Sequence, residues 1–141
     1  MSGETDLRKL LSSMKPSLSG ERYVFVSLTK TMGEMAGITP WALISEDEGT
    51  TVIIEKGKAE SNALPYQGAF SRITLTVHSS LEAVGLTAAV ANKLTQHGIS
   101  ANVVAAFFHD HIFVPEEKAE RALGAIQELA RENGLPNGAV E

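Results

Sequence analysis

Arg72-Ile73-Thr74-Leu75-Thr76-Val77 runs directly into His78-Ser79-Ser80-Leu81-Glu82-Ala83-Val84-Gly85-Leu86-Thr87, and the reading of that passage decides the fold. Its first six residues alternate apolar and polar, the pattern of a half-buried strand. Beyond it Leu86, Ala89, Val90 and Leu94 recur at helical spacing as far as His97-Gly98. The passage is therefore a turn from strand into helix. Such a turn collects backbone N–H groups that have no partner inside the helix, and these favour an anionic ligand group such as a carboxylate. It holds neither a nucleophile with its base nor a metal cage. The chemistry it suggests is holding a small ligand rather than transforming one.

Working outward, the second half continues with a hairpin. Its arms are predicted over 101–108 and 111–114, with His109-Asp110 as the turn. A helix from Glu116 to Asn133 follows. Ala119, Ala122, Leu123, Ile126, Leu129 and Ala130 form its apolar stripe, acids occupy its first turn, and Gly134 with Pro136 ends it. Residues after Pro136 read as a frayed tail.

The first half opens with a short amphipathic helix over 5–14, in which Leu7, Leu10, Leu11 and Met14 form one stripe and Thr5 is the expected N-cap. Pro16, Ser17, Ser19 and Gly20 read as its break. Arg22 to Leu28 is a strand and Lys30 to Pro40 a connecting loop. Residues 41–45 and 51–55 form a hairpin around the acidic turn Glu46-Asp47-Glu48-Gly49-Thr50. That turn lacks the oxygen-rich spacing of a calcium loop and reads as solvated. Lys56 to Leu64 is a short helix closed by Pro65, and 66–69 joins the halves. The halves thus share an order of strand, connection, hairpin and helix. A repeat of this kind implies an α+β architecture of small antiparallel sheets with helices on one face. It also leaves edge strands free for pairing within or between chains.

Length and composition narrow the function classes. The chain has 141 residues, 43% apolar and 21% charged, which suits one compact domain or two small ones. A formal net charge of −5 without a basic cluster argues against a nucleic-acid surface. No apolar run is long enough to span a bilayer and residues 1–11 are not a secretory signal, so a cytoplasmic location is expected. Cysteine is absent, which excludes disulfides and thiolate chemistry. No phosphate-loop or dinucleotide fingerprint occurs, and no cofactor is expected.

Ser79 to Ala88, followed by Gly98-Ile99-Ser100-Ala101-Asn102-Val103 and by Phe108 to Pro115, resembles the ACT domain. The chain is most similar to small bacterial stand-alone tandem ACT-like proteins. The resemblance runs from about Arg22 to Asn133; it is specific in the second half and looser in the first, which lacks the usual helix between strands. It implies two ferredoxin-like βαββαβ modules, an ACT-like half over 1–67 and another over 68–141. It further implies a non-enzymatic regulatory role, an amino acid as ligand, and a homodimer. The family's ligand loop maps onto Leu81 to Leu86. Eukaryotic cytosolic arginine sensors built from ACT repeats look similar at Val84-Gly85-Leu86 and at an acidic residue that corresponds to Asp110. ACT modules usually regulate an attached enzyme domain, and none is expected within these 141 residues.

The candidate ligand-binding residues are therefore Glu82, Val84, Gly85, Leu86 and Asp110. Each has a plainer alternative. Gly85 either admits a ligand to the backbone or permits close packing at the helix start. Ser79 with Glu82 matches a capping box, which would occupy Glu82 unless the helix begins at Gly85. Asp110 either bonds local backbone in a turn or meets a ligand's ammonium or guanidinium group. His109 and His111 share a strand face from which Asp110 points away, so the three do not form one metal cage. Ser79 is not expected to be a nucleophile, because His78 points to the opposite face. The competing reading is a protein-assembly module with a vestigial pocket.

Overall fold

The computed structural model describes residues 6–28, 37–77 and 85–134. The chain forms two compact units. One is Gly20–Ser71; the other joins the residues up to Ser19 with those from Arg72 onward. The mixed α+β, ferredoxin-like architecture expected from the sequence is present.

In the first unit the strand order is β2 (Ala42–Glu46), β3 (Gly49–Glu55), then β1 (Lys15–Leu28), whose residues from Gly20 onward belong here. Both pairings are antiparallel, with Val24 opposite Ile54, Val26 opposite Val52, and Ile44 opposite Thr51. Alternation places Val24, Val26, Val52 and Ile54 on one face, packed with Ala59 of helix α2 (Lys56–Ser61). The other face is also apolar. Tyr23 and Ile53 are buried there, Tyr23 stacks edge-on with Trp41 at 6.3 Å, and Phe25 meets Phe70 at 5.2 Å.

The second unit contains α1 (Leu7–Ser13), most of β4 (Phe70–Thr76), α3 (Leu86–Gln96), β5 (Asn102–Ala105), β6 (Asp110–Pro115) and α4 (Ala119–Gly134), the last entered through a 3-10 turn at Glu116–Lys118. Its strands lie in the order β4, β6, β5. Ile73, Leu75, Ile112 and Val114 form one face of that sheet. Leu86, Val90 and Leu94 from α3, and Ala122, Ala125 and Ile126 from α4, close over it. Each large aliphatic side chain removed from water here contributes roughly 1.5–3 kcal/mol before entropy is charged against it.

Helix α1 sits in this second core, not with the half it belongs to in sequence. Leu10 is fully buried, Leu11 and Met14 nearly so, in the same cluster as Val90 and Ile126. Its N-cap is Asp6 rather than Thr5: the carboxylate accepts from the backbone N–H groups of Arg8 and Lys9 at 3.0 and 3.3 Å. Strand β1 starts at Lys15, although Pro16, Ser17 and Gly20 read locally as a break. Leu18 is the reason, since its side chain packs against the core formed by α3 and α4. Helices α3 and α4 are further tied by Lys93, which reaches Glu132 at 3.0 Å and Glu128 at 3.2 Å with its own side chain only 11% exposed. The hydrogen bond to Glu132, then the rest of that acidic pair working against burial, holds its ammonium above the usual lysine range.

Helix α3 ends in a Schellman motif. Ile99 donates to the Leu94 carbonyl and Gly98 to that of Thr95, with Gly98 at φ +71°. Lys118 and Arg121 add bonds to the carbonyls of Gly98 and His97, cations where the helix dipole is negative. No helix among the described residues is long and apolar enough to cross a membrane.

Candidate functional site

The site is built where β4 runs out and β6 begins. Thr74, near the C-terminal end of β4, places its Oγ1 2.9 Å from Nδ1 of His111, the second residue of β6. The end of β4 that leads toward Gly85 and the end of β6 that carries Asp110 are therefore the same end of the sheet.

Gly85 is the N-cap of α3, with φ +99° and ψ −12°, and its carbonyl accepts the first helical bond from Ala89 at 2.9 Å. The helix begins at Leu86, and Ser79 and Glu82, the expected capping pair, lie outside the described residues. Among the described residues no side chain caps this end, where the first-turn N–H groups of a helix have no partner inside the helix. Leu86 is buried in the core, which leaves its backbone, not its side chain, to face a ligand. Over Gly85 itself the space is taken: a Cβ there would stand 3.1 Å from Cδ2 of Leu7 on α1. The left-handed backbone, with this close approach beside it, favours glycine at this point. Val84 lies outside the described residues, as Glu82 does.

Asp110 is not a turn residue. The hairpin closes between Ala106 and His109, whose N–H and carbonyl bond at 3.0 Å, and Asp110 is already paired with Ala105 in the ladder. Phe107 and Phe108, which read as strand, sit instead at its tip, 74% and 76% exposed, with their rings edge to face at 5.0 Å. In β6 Asp110 shares the parity of Ile112 and Val114, so it opens the helix-bearing face of the sheet. Partial burial raises its carboxyl above the usual carboxylate range, and the positive character of neighbouring His109 offsets this only in part. A half-buried acid in that state gains from any cation brought beside it.

The opposite face carries a polar chain that sequence reasoning did not anticipate. Arg72 Nη1 donates to Thr74 Oγ1 at 2.6 Å, and Thr74 in turn meets His111. With its oxygen accepting from the guanidinium, the hydroxyl is best placed to donate to a neutral His111, as the ring nitrogen roles permit. Burial, then the Arg72 charge, then that of His109, lowers the His111 pKa to about 4. The His109 and His111 rings lie edge to face at 6.4 Å. The alternating letters Arg72, Thr74 and His111 were the available signal; what was missing was which strand lies beside which. Among the described residues no group of three His, Asp or Glu side chains is arranged to hold a metal.

Two ACT domain models match the chain, over residues 2–71 and 71–128. The chain belongs to the ACT domain family. Among solved structures, this ACT protein is similar to a Vibrio cholerae protein of unknown function described as a possible transport protein. The two are 50% identical over 88% of this chain and 95% of the other, with a TM-score of 0.82. An Agobacterium tumefaciens protein shares the fold at 16% identity and a TM-score of 0.69, covering 83% and 89% of the two chains. So does the regulatory subunit of aspartate kinase from Thermus flavus, at 13% identity, 81% and 95% coverage and a TM-score of 0.59. No functionally curated protein matches. ACT domains are typically regulatory modules that bind small molecules.

Proposed function

We propose that this ACT protein is a non-enzymatic sensor that binds an amino acid at the Gly85 end of its second unit. What supports the reading is a helix start at left-handed Gly85, with no side-chain cap among the described residues, in the unit whose sheet also carries the half-buried Asp110. The α-carboxylate would rest on N–H groups between Val84 and Thr87, where the start of a helix favours negative charge. The α-amino group, or a basic side chain, meets Asp110 or Glu82. Regulatory segments of aspartate kinases share the fold, which supports a regulatory role. The working unit in this reading is a cytoplasmic homodimer, with the repeat boundary near residue 68.

A thermal-shift screen with the twenty amino acids tests it, with Asp110→Asn as the discriminating variant. A ligand at about a hundred times its Kd adds roughly 2.7 kcal/mol, several degrees for a chain this size. Because burial already penalises the Asp110 carboxylate, Asp110→Asn should leave the free protein at pH 7 no less stable while abolishing the ligand shift. A flat response across the panel sinks the sensor reading.

A second reading is favoured by the edges. The outermost strands β2 and β5 expose Leu43, Ile44 and Val103 at 39%, 41% and 39%. Exposed apolar edge strands invite pairing with another chain. In that case Leu43→Lys together with Ile44→Lys would change the sedimentation coefficient, and no amino acid would alter stability.

A further inference from the structure

An open cleft of about 430 Å³ lies where α1 passes into β1 and faces α4; Met14, Lys15, Pro16, Gln127, Ala130 and Arg131 line it. All six belong to the second unit. The volume is that of a small-molecule site. Its floor is apolar: Met14 is 3% exposed, and Pro16 and Ala130 are half-buried. Its rim holds two cations and an amide.

Among the described residues no acid pairs with these cations, and the layout of α4 explains why. The helix carries two acids in this region, Glu128 and Glu132, and both are drawn toward α3 by Lys93 at 3.2 and 3.0 Å. Gln127 and Arg131, four residues apart and hence on a common stripe, face the cleft instead. Neither Lys15 nor Arg131 has an ion-pair partner among the described residues. In a chain whose formal net charge is −5, two unpaired cations across an apolar floor are a specific local departure.

We propose that this cleft is a second binding site, taking a small organic anion in which a carboxylate is joined to a short apolar body. The head would lie between the Lys15 ammonium and the Arg131 guanidinium, with Gln127 able to donate a further hydrogen bond. The body would lie on Met14, Pro16 and Ala130. Guanidinium recognises a carboxylate through a planar pair of N–H groups, and the apolar floor supplies the remaining affinity. The cleft is at the Met14 end of α1, whereas Leu7 at the other end meets Gly85. It is therefore distinct from the amino-acid site and does not depend on it.

The chain has four methionines, so methyl NMR with labelled methionine gives few signals, of which Met14 reports directly on the floor. The probes are octanoate and, for charge without an apolar body, inorganic phosphate. Octanoate should shift the Met14 methyl saturably, and Lys15→Gln with Arg131→Gln should weaken that binding by about tenfold or more. Both side chains are exposed, so the double variant should keep the fold, checked by an unchanged urea midpoint and m-value. Phosphate and octanoate binding alike without moving Met14 would mean an adventitious ion only and overturn the proposal. So would an octanoate shift that survives the double variant, or no shift at about 10 mM.

Discussion

Replacing Gly85 by alanine separates backbone strain from crowding at the start of α3. The residue sits at φ +99°, outside the regions that side-chain-bearing residues adopt without cost, and alanine there should lose about 1–3 kcal/mol. A Cβ would also stand 3.1 Å from Leu7 Cδ2, tight enough to make that methyl give way by a few tenths of an ångström. Because the neighbour is the end of a flexible side chain, that second contribution is about 0.5–1 kcal/mol. Loss of glycine's freedom in the unfolded chain returns about 0.4–1 kcal/mol. The net expectation is a destabilisation of about 0.5–3.5 kcal/mol, read as a lower urea midpoint at constant m-value. In a Leu7→Ala background the crowding vanishes and the strain remains. Gly85→Ala should then cost about 0.5–1 kcal/mol less, which a double-mutant cycle resolves. A neutral or stabilising Gly85→Ala would show that the left-handed turn is not imposed on the folded chain. A cycle with no coupling would show that α1 does not press on the start of α3.

Two further predictions concern the same unit. His111 titrates at about 4 in the folded protein against about 6.5 unfolded, so the unfolded chain binds more protons between those values and stability must fall as pH drops through that window. After discounting for its partial exposure the loss is about 1–2 kcal/mol, and His111→Asn should flatten the slope of urea midpoint against pH between about 6.5 and 4. Leu10→Ala, at a fully buried position of α1, should cost about 2–5 kcal/mol in chemical denaturation and lower protection of α3 and α4 amides from hydrogen exchange. An effect confined to α1 itself would contradict its place in the shared core.

What was legible in the sequence is what depends on neighbours along the chain. The alternation of Arg72 to Val77 and the stripes of α3 and α4 each match one secondary-structure period, and burial on one face repeats that period. Gly98 marked the end of α3 because a Schellman motif needs a left-handed residue there. The start of β1 was hidden because the local preferences of Pro16, Ser17 and Gly20 oppose a strand, while Leu18 gains its burial from residues that lie from position 73 onward. The core membership of α1 was hidden for the same reason. Its apolar stripe predicts that something covers it and is silent on what.

The hairpin shows how a small local misreading changes a functional role. Reading Phe107 and Phe108 as strand puts Asp110 in a turn, free to bond nearby backbone. With the turn at Ala106–His109, the register pairs Asp110 with Ala105 and His111 with Val104. Side-chain direction in a strand has period two, so this register alone sends Asp110 to the helix-bearing face and His111 to the other. Their shifts then follow from the placement: partial burial without a matching cation raises the acid, and burial beside Arg72 lowers the imidazole. The alternation that splits these neighbours also keeps Asp110 from pairing with His111 as an acid–base couple. It leaves the carboxylate at the sheet end that leads to α3, where a cationic group of a ligand would relieve the cost of its burial.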